Sequence, residues 1–353
     1  MKKDSLNTWV KSGTPWIWMN AGAVSIAVIM TLGLLAIIAV RGLAHFWPAD
    51  VIVADYSMPG AEMRVLAGEV VQAEEVPRAR LAASGLPVNV EGGEFMTREL
   101  LKVGNREVYG ADFSWVVGEW LSNQRAPVEL MVLERREWGN FYGYLLNVKE
   151  AGQLVAEGEG AWNELQARID RVDELHTQIS RIEKVEIGRI NHGLERLRLK
   201  TRQLELNDRL DAAAQADLDA ERAQWDAEYR VLEEKLVALQ QQFNRDSITV
   251  RTADGREQEI TLGKVVQAFQ PNAMSTPQKL MFYFAKLWEF VSDEPREANT
   301  EGGVFPAIFG TVLMTLIMAV IVTPFGVIAA VYLREYAKQG VLTHIIRIAV
   351  NNL

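Results

Sequence analysis

Two long runs without charge interrupt a chain that is otherwise rich in charged residues. No charged residue occurs between Lys11 and Arg41, and none occurs between Glu301 and Arg334. Aromatic residues, which favour the membrane–water interface, flank the two runs: Trp16, Trp18 and Trp47, then Phe305, Tyr332 and Tyr336. Because a helix of about 20 apolar residues crosses a bilayer core, the runs predict two transmembrane helices rather than two buried core helices.

Strand-like stretches occur on both sides of a helical segment between the two runs. From about residue 51 to 155, β-branched and aromatic residues alternate with Gly and Pro breaks, which predicts short strands. The pattern returns at Ser247–Arg251 and Glu257–Leu262, where Asp254-Gly255 is a strong hairpin signal. The simplest arrangement is one β-rich domain whose chain is interrupted at a loop.

Leucine and isoleucine recur at alternating steps of three and four residues from about residue 161 to 243. One such stretch runs from Leu165 to Ile182 and another from Trp225 to Phe243, with a weaker pattern between them. This spacing is typical of a coiled-coil seam. A single helix would carry its end about 120 Å away, so we predict a helical hairpin that turns near Asn207–Asp217. A single rod that pairs with another copy is the alternative.

A second amphipathic segment precedes the second apolar run. Thr276-Pro277 offers an N-cap and a proline for the first helical turn. The residues that fall on one helical face are Leu280, Tyr283, Phe284, Leu287 and Val291. The pattern predicts a helix at the outer membrane surface, with packing on the β-rich domain as the alternative.

The predicted fold is therefore an α-helical membrane protein with two transmembrane helices and an exported α+β insert. In the insert, a small β-rich domain is interrupted by a long coiled-coil helical hairpin. The predicted segments are an N-terminal flank (1–15), a first transmembrane helix (16–46), the first part of the β-rich domain (47–160), the coiled-coil hairpin (161–245), the second part of the β-rich domain (246–272), an amphipathic interfacial helix and linker (273–300), and a final segment that begins with the second span (301–353).

Charge predicts the orientation of the two spans. The whole chain carries −9 and each short flank carries +2, which leaves −13 for residues 41–303. The charges of the flanks are Lys2, Lys3, Asp4 and Lys11 before the first span, and Arg334, Glu335, Lys338 and Arg347 after the second. Basic flanks stay in the cytoplasm, so both termini are predicted to be cytoplasmic, residues 47–303 exported, and the first span an uncleaved anchor.

The composition excludes several kinds of chemistry. There is no cysteine, which rules out disulfides, thiolate metal sites and a cysteine nucleophile, and the four histidines are far apart in sequence. The acidic balance argues against nucleic-acid binding. No phosphate-binding GxxxxGK[ST] loop or GxSxG motif occurs, and the acidic pairs Glu157/Glu159 and Glu233-Glu234 are interpreted as solvated surface. We therefore expect no enzyme activity, cofactor or metal.

The second apolar run carries a more specific pattern. "EGGVFPAIFGTVLMTLIMAVIVTPFGVIAAVYLREYAKQG" resembles the start of the transport domain in phosphate-specific ABC transporter permeases of the PstA type. The matching features are Gly302-Gly303, Phe305-Pro306, Gly310-Thr311, Pro324-Phe325-Gly326 and the phrase from Ala329 to Ala337 that ends in "YLREYA". The opening "SGTPWIWMNAGAVSI" and "AVRGLAHFWP" resemble a long form of these permeases, with an extra N-terminal anchor and an exported insert.

This resemblance implies a permease subunit of an importer of inorganic phosphate in the bacterial inner membrane, with residues 47–303 periplasmic. The implied partners are a second permease subunit, an ATP-hydrolysing subunit pair, a periplasmic phosphate-binding protein and membrane lipid. Such permeases continue with further spans and a coupling segment, so we expect this chain to be the N-terminal part of one, unable to transport alone. The candidate residues that kink or pack the transport-type span are Pro306, Gly310, Pro324 and Gly326.

A different class of protein shares the two-span layout. Two spans that flank an exported domain with a long coiled coil also resemble polysaccharide chain-length regulators, which are structural oligomers, or a two-span sensor. Without the resemblance to the permeases, the proline-containing span is better interpreted as a kinked but purely structural helix. Because the insert carries −13, we also expect it not to bind phosphate tightly.

Overall fold

The computed structural model describes residues 9, 12–89, 93–296, 301–337 and 340–352. The chain divides into two compact units, Met1–Tyr283 and Phe284–Leu353. Several flanking charges on which the predicted orientation depends lie outside the described residues: Lys2, Lys3, Asp4, Lys11 and Lys338.

The elements below are numbered in chain order. The helices are α1 (Thr14–Ala44), α2 (Arg78–Ala83), α3 (Arg106–Tyr109), α4 (Ala161–Arg181), α5 (Ile187–Leu206), α6 (Ala212–Phe243), α7 (Thr276–Ser292), α8 (Phe305–Val331) and α9 (Val341–Asn352). The strands are β1 (Val51–Tyr56), β2 (Arg64–Pro77), β3 (Phe95–Lys102), β4 (Phe113–Val117), β5 (Leu121–Arg125), β6 (Met131–Arg135), β7 (Phe141–Glu150), β8 (Gln153–Glu157), β9 (Asp246–Arg251), β10 (Glu257–Thr261), β11 (Val265–Phe269), β12 (Pro295–Arg296) and β13 (Glu301–Gly302).

The helices α1 and α8 are both long and apolar enough to cross a membrane, which confirms the predicted pair of apolar helices. Neither contains a residue that the rest of the chain buries. Several of their hydroxyl groups bond within the helix: Thr31 donates to the Ala27 carbonyl at 2.8 Å, and Thr315 donates to the Thr311 carbonyl at 2.7 Å. Such internal bonds suit an environment without water.

The longer strands confirm a β-rich region, and they form two antiparallel sheets with the same topology. The first sheet has the order β4-β3-β2-β1-β5, and the second has β10-β9-β7-β6-β11, with β8 added beside β7. In each sheet the last two strands are separated by a 3-10 turn, at Gly118–Trp120 and at Leu262–Lys264. In each, the final strand pairs back with the first. We refer to Val51–Arg125 as the first repeat and to Met131–Phe269 as the second.

A glycine occupies the same place in the second strand of each repeat. Gly68 directly precedes Glu69, which pairs with Lys102, the last residue of β3. Gly143 directly precedes Tyr144, which pairs with Arg251, the last residue of β9. A Cβ would lie 2.5 Å from the Lys102 oxygen at Gly68 and 2.4 Å from the Arg251 oxygen at Gly143. The backbones therefore approach too closely for any other residue, and the shared glycine supports the equivalence of the two repeats.

Each repeat carries its insert in the same loop, between its second and third strands. The first repeat has the short helix α2 there, whereas the second has β8 and the helices α4 to α6. The sequence predicted one β-rich domain interrupted by the hairpin. Both sheets lie within one compact unit, and the hairpin is inserted in the second repeat.

Helices α4 and α5 form one rod, joined by a π-helical segment at Ile182–Glu186, and α6 runs back beside them. Lys200 lies 3.6 Å from Glu221 near the turn, and Arg189 bonds to Glu228 further along, so the arms are antiparallel. The turn at 207–211 lies at the start of the predicted interval. The buried seam consists of Leu175, Ile179, Ile182, Ile190, Leu232 and Leu239.

Candidate functional site

The predicted transport-type span is α8, and its two prolines have different positions in the helix. Pro306 lies in the first turn, where a backbone N–H has no helical acceptor, so the ring costs no hydrogen bond. Pro324 lies in the interior and leaves the Val320 carbonyl without its helical donor. Only Pro324 is therefore placed to weaken the helix.

The two candidate glycines of α8 have open space around them. A Cβ at Gly310 or Gly326 would meet nothing within 4 Å among the described residues. Neither glycine therefore packs against a described neighbour in this chain. The open positions leave room for another helix to approach the backbone closely.

A widened turn follows α8 at the motif that carries the family resemblance. Residues Tyr332–Tyr336, with the sequence "YLREY", form a π-helical segment, and Ala337 then leaves the helical conformation with ψ at 127°. Inserted π turns occur often at functional sites. The sequence identified these residues as a motif, but it contained no signal for their backbone geometry.

The two repeats meet through buried polar contacts. Asn105, from the loop after β3, accepts a bond from the Tyr142 amide at 2.7 Å and donates to the Tyr142 carbonyl at 3.0 Å. The Tyr142 hydroxyl donates to Glu69 of β2 at 2.9 Å. Burial raises the pKa of Glu69, while Lys102 and the bond from Tyr142 oppose the rise. Arg135, itself buried, lies 3.3 Å from Glu107 across the same junction.

A buried charge cluster anchors the helical hairpin to the second repeat. The Arg168 guanidinium on α4 lies 2.9 Å from Asp246, at the start of β9, and 2.9 Å from Glu150, at the end of β7. Arg245 bonds to both carboxylates, at 2.9 Å and 2.8 Å. Asp246 is fully buried, and these partners offset the cost of burying its carboxylate. The cluster joins both ends of the insert to the sheet.

The acidic pairs singled out in the sequence lie apart from these clusters. Glu157, Glu159, Glu233 and Glu234 are all exposed. In the part of the chain that the structure describes, no group of three or more His, Asp or Glu side chains is arranged to hold a metal ion. The charged clusters described above connect one part of the chain to another and so hold the elements of the fold in place.

Comparison of this chain with protein-family models, with curated protein sequences and with solved structures finds no match.

Proposed function

We propose that the chain is part of a PstA-type permease subunit of an ABC importer for inorganic phosphate. One observation supports this most strongly: α8 combines an interior proline with a π-helical turn at the phrase "YLREYA", where the resemblance to these permeases is most specific. Helices that line a path or move are commonly interrupted in this way.

The proposal includes a location. Helices α1 and α8 span the bacterial inner membrane, both flanks are cytoplasmic, and residues 47–303 are periplasmic. The partners are a second permease subunit, a pair of ATP-hydrolysing subunits and a phosphate-binding protein. Support comes from the length and apolar surface of both helices and from the basic flanks.

In this proposal the periplasmic region contacts proteins and does not bind phosphate. Residues 41–303 together carry −13, which repels the anion, and buried arginines in this region, such as Arg168, already pair with carboxylates. Calorimetry on the detergent-solubilised chain is expected to show no binding at micromolar phosphate. A measurable heat of binding there would contradict this role.

Uptake of radiolabelled phosphate tests the permease proposal. Deleting the gene that encodes this chain should abolish high-affinity uptake, and the intact gene should restore it. Pro324→Ala should lower uptake at an unchanged membrane level, because it restores a donor for the Val320 carbonyl and stiffens the span, whereas Pro306→Ala in the same helix should not. Unchanged uptake after deletion would rule the proposal out.

The alternative, a structural regulator of polysaccharide chain length, has its own supporting observation. Val185, Leu199 and Leu206 lie at multiples of seven residues on the hairpin and are 63, 55 and 69% exposed. These exposed apolar side chains offer a surface on which another copy could pack, as a structural oligomer would need. A deletion strain with normal phosphate uptake and altered polysaccharide length would favour this alternative.

A further inference from the structure

Helix α7 has an apolar face that points away from the protein. Around the helix, Leu280, Met281, Trp288 and Val291 fall within about one third of the circumference. Their side chains are 49, 76, 73 and 42% exposed, respectively. No residue of Thr276–Ser292 that lies on this face is charged.

The charged residues of α7 lie on its other side, where each has an ion-pair partner. Lys279 bonds to Asp50, just before β1. Lys286 lies 2.7 Å from Glu289, which also accepts a bond from Arg296 at 2.7 Å. A helix on a water-facing surface has the opposite arrangement, with its apolar stripe inward and its charges outward.

Each half of α7 adjoins an apolar helix within its own compact unit. In the first unit, the ring of Tyr283 lies 6.3 Å from that of Trp47, three residues beyond the end of α1. In the second unit, the Phe290 carbonyl accepts a bond of 2.8 Å from the amide of Val304, the residue before α8. Both halves of the helix thus contact segments that flank a candidate span.

We propose that α7 lies in the outer membrane–water interface with its face of Leu280, Met281, Trp288 and Val291 in lipid. Tryptophan favours this depth, and an apolar face without charge gains by entering the boundary of the acyl chains. The inference goes beyond the proposed function: it requires that α1 and α8 are inserted, but it requires neither transport nor phosphate.

Site-specific labelling tests the proposal directly, because the chain contains no cysteine. Single cysteines are introduced by Met281→Cys and Trp288→Cys, and each is coupled to an environment-sensitive fluorophore. Ala213→Cys, exposed at the start of α6, serves as the aqueous control, and Ala319→Cys, within α8, serves as the membrane control. The whole chain is reconstituted in vesicles of phosphatidylethanolamine and phosphatidylglycerol, with and without nitroxide-bearing lipid.

Labels at 281 and 288 should show blue-shifted emission, quenching by nitroxide lipid and loss of quenching by aqueous iodide. The label at 213 should show the reverse. If 281 and 288 are quenched by iodide as strongly as 213, or are shielded from both quenchers by a protein, the proposal is wrong. Quenching of the 319 label by lipid shows that α8 is inserted, so a failure of this inference is distinguishable from a failure of the membrane proposal.

Discussion

The two β repeats have the same strand order, but they carry inserts of very different length. Both have a glycine in the second strand where it closely approaches the third strand, Gly68 or Gly143. Both also have a 3-10 turn before the last strand. The first insert contains the six-residue helix α2, whereas the second contains a helical hairpin with arms of up to 32 residues. The comparison shows that the same sheet accommodates both a short and a very long insert in this loop.

The anchors of the two inserts differ in burial. Arg78, at the start of α2, bonds to Glu119 in the 3-10 turn at 3.0 Å, and the Glu119 side chain is 46% exposed. The long hairpin is instead anchored through Asp246, which is fully buried among arginines. The long hairpin can exert a larger force on its base than the short insert can. Its anchor has correspondingly more ion-pair partners.

The largest expected effect comes from breaking the deeper anchor. Asp246→Asn leaves Arg168 and its neighbours without their buried counter-charge, which should cost about 3–5 kcal/mol of unfolding free energy. Glu119→Gln, in the shallower anchor, should cost about 0.5–1 kcal/mol. Denaturant titration of the solubilised chain measures both, and equal losses would show that the anchors do not differ.

The equivalence of the repeats predicts that two matched substitutions lower the unfolding free energy by similar amounts. Gly68→Ala and Gly143→Ala each push a Cβ against a carbonyl oxygen, and each should cost about 3 kcal/mol. Gly60→Ala is the control: its φ is +82° but its surroundings are open, so about 1 kcal/mol is expected. If only one of the pair is destabilising, the two strands are not equivalent.

Within the hairpin itself, substitution of two glycines of α5 by alanine should change the stability in opposite directions. Gly188 has open space, so Gly188→Ala should stabilise by about 1 kcal/mol through helix propensity. A Cβ at Gly193 would lie 2.7 Å from the Trp225 ring, so Gly193→Ala should be destabilising by about 1–2 kcal/mol. Loss of helical circular dichroism on heating distinguishes them, and stabilisation by both would mean that the arms are not packed closely at Gly193.

The smallest effect concerns the junction between the repeats. Burial raises the pKa of Glu69 from 4.5, so the folded chain holds this proton more tightly than the unfolded chain. Stability from this group is therefore present below pH 4.5 and declines as pH rises through the folded pKa. Glu69→Gln should reduce that decline in the melting temperature, while Glu75→Gln, exposed on the same strand, should not. Identical pH profiles for all three proteins would contradict the assignment.

The regular parts of the fold were predictable because their signals are local. The absence of charge predicted α1 and α8, and the alternating steps of three and four predicted the helical arms. The pattern weakened after Ile182 because the π segment adds a residue to the turn, so the seam steps five residues to Ile187. Sequence alone contained no rule for that insertion.

The duplication was not predictable, since the long insert separates the matching strands of the second repeat. The sign of the duplication that remains in the sequence is a glycine spacing. Gly118 follows Gly110 by eight residues, as Gly263 follows Gly255. In α7 the pattern showed which residues share a face, but not which face contacts the protein. For the candidate span, the sequence identified both prolines, and only the helix bounds show that Pro306 is in the first turn.

The contacts of Asn272 have a consequence for how the region between the two candidate spans can be gained or lost. Its side chain accepts a bond from the Val51 amide at 3.0 Å and donates to the Val51 carbonyl at 2.8 Å. The chain therefore enters the two repeats and leaves them at one point. Residues 51–272 form a cassette, and a short linker in their place would rejoin the flanking segments without stretching either of them.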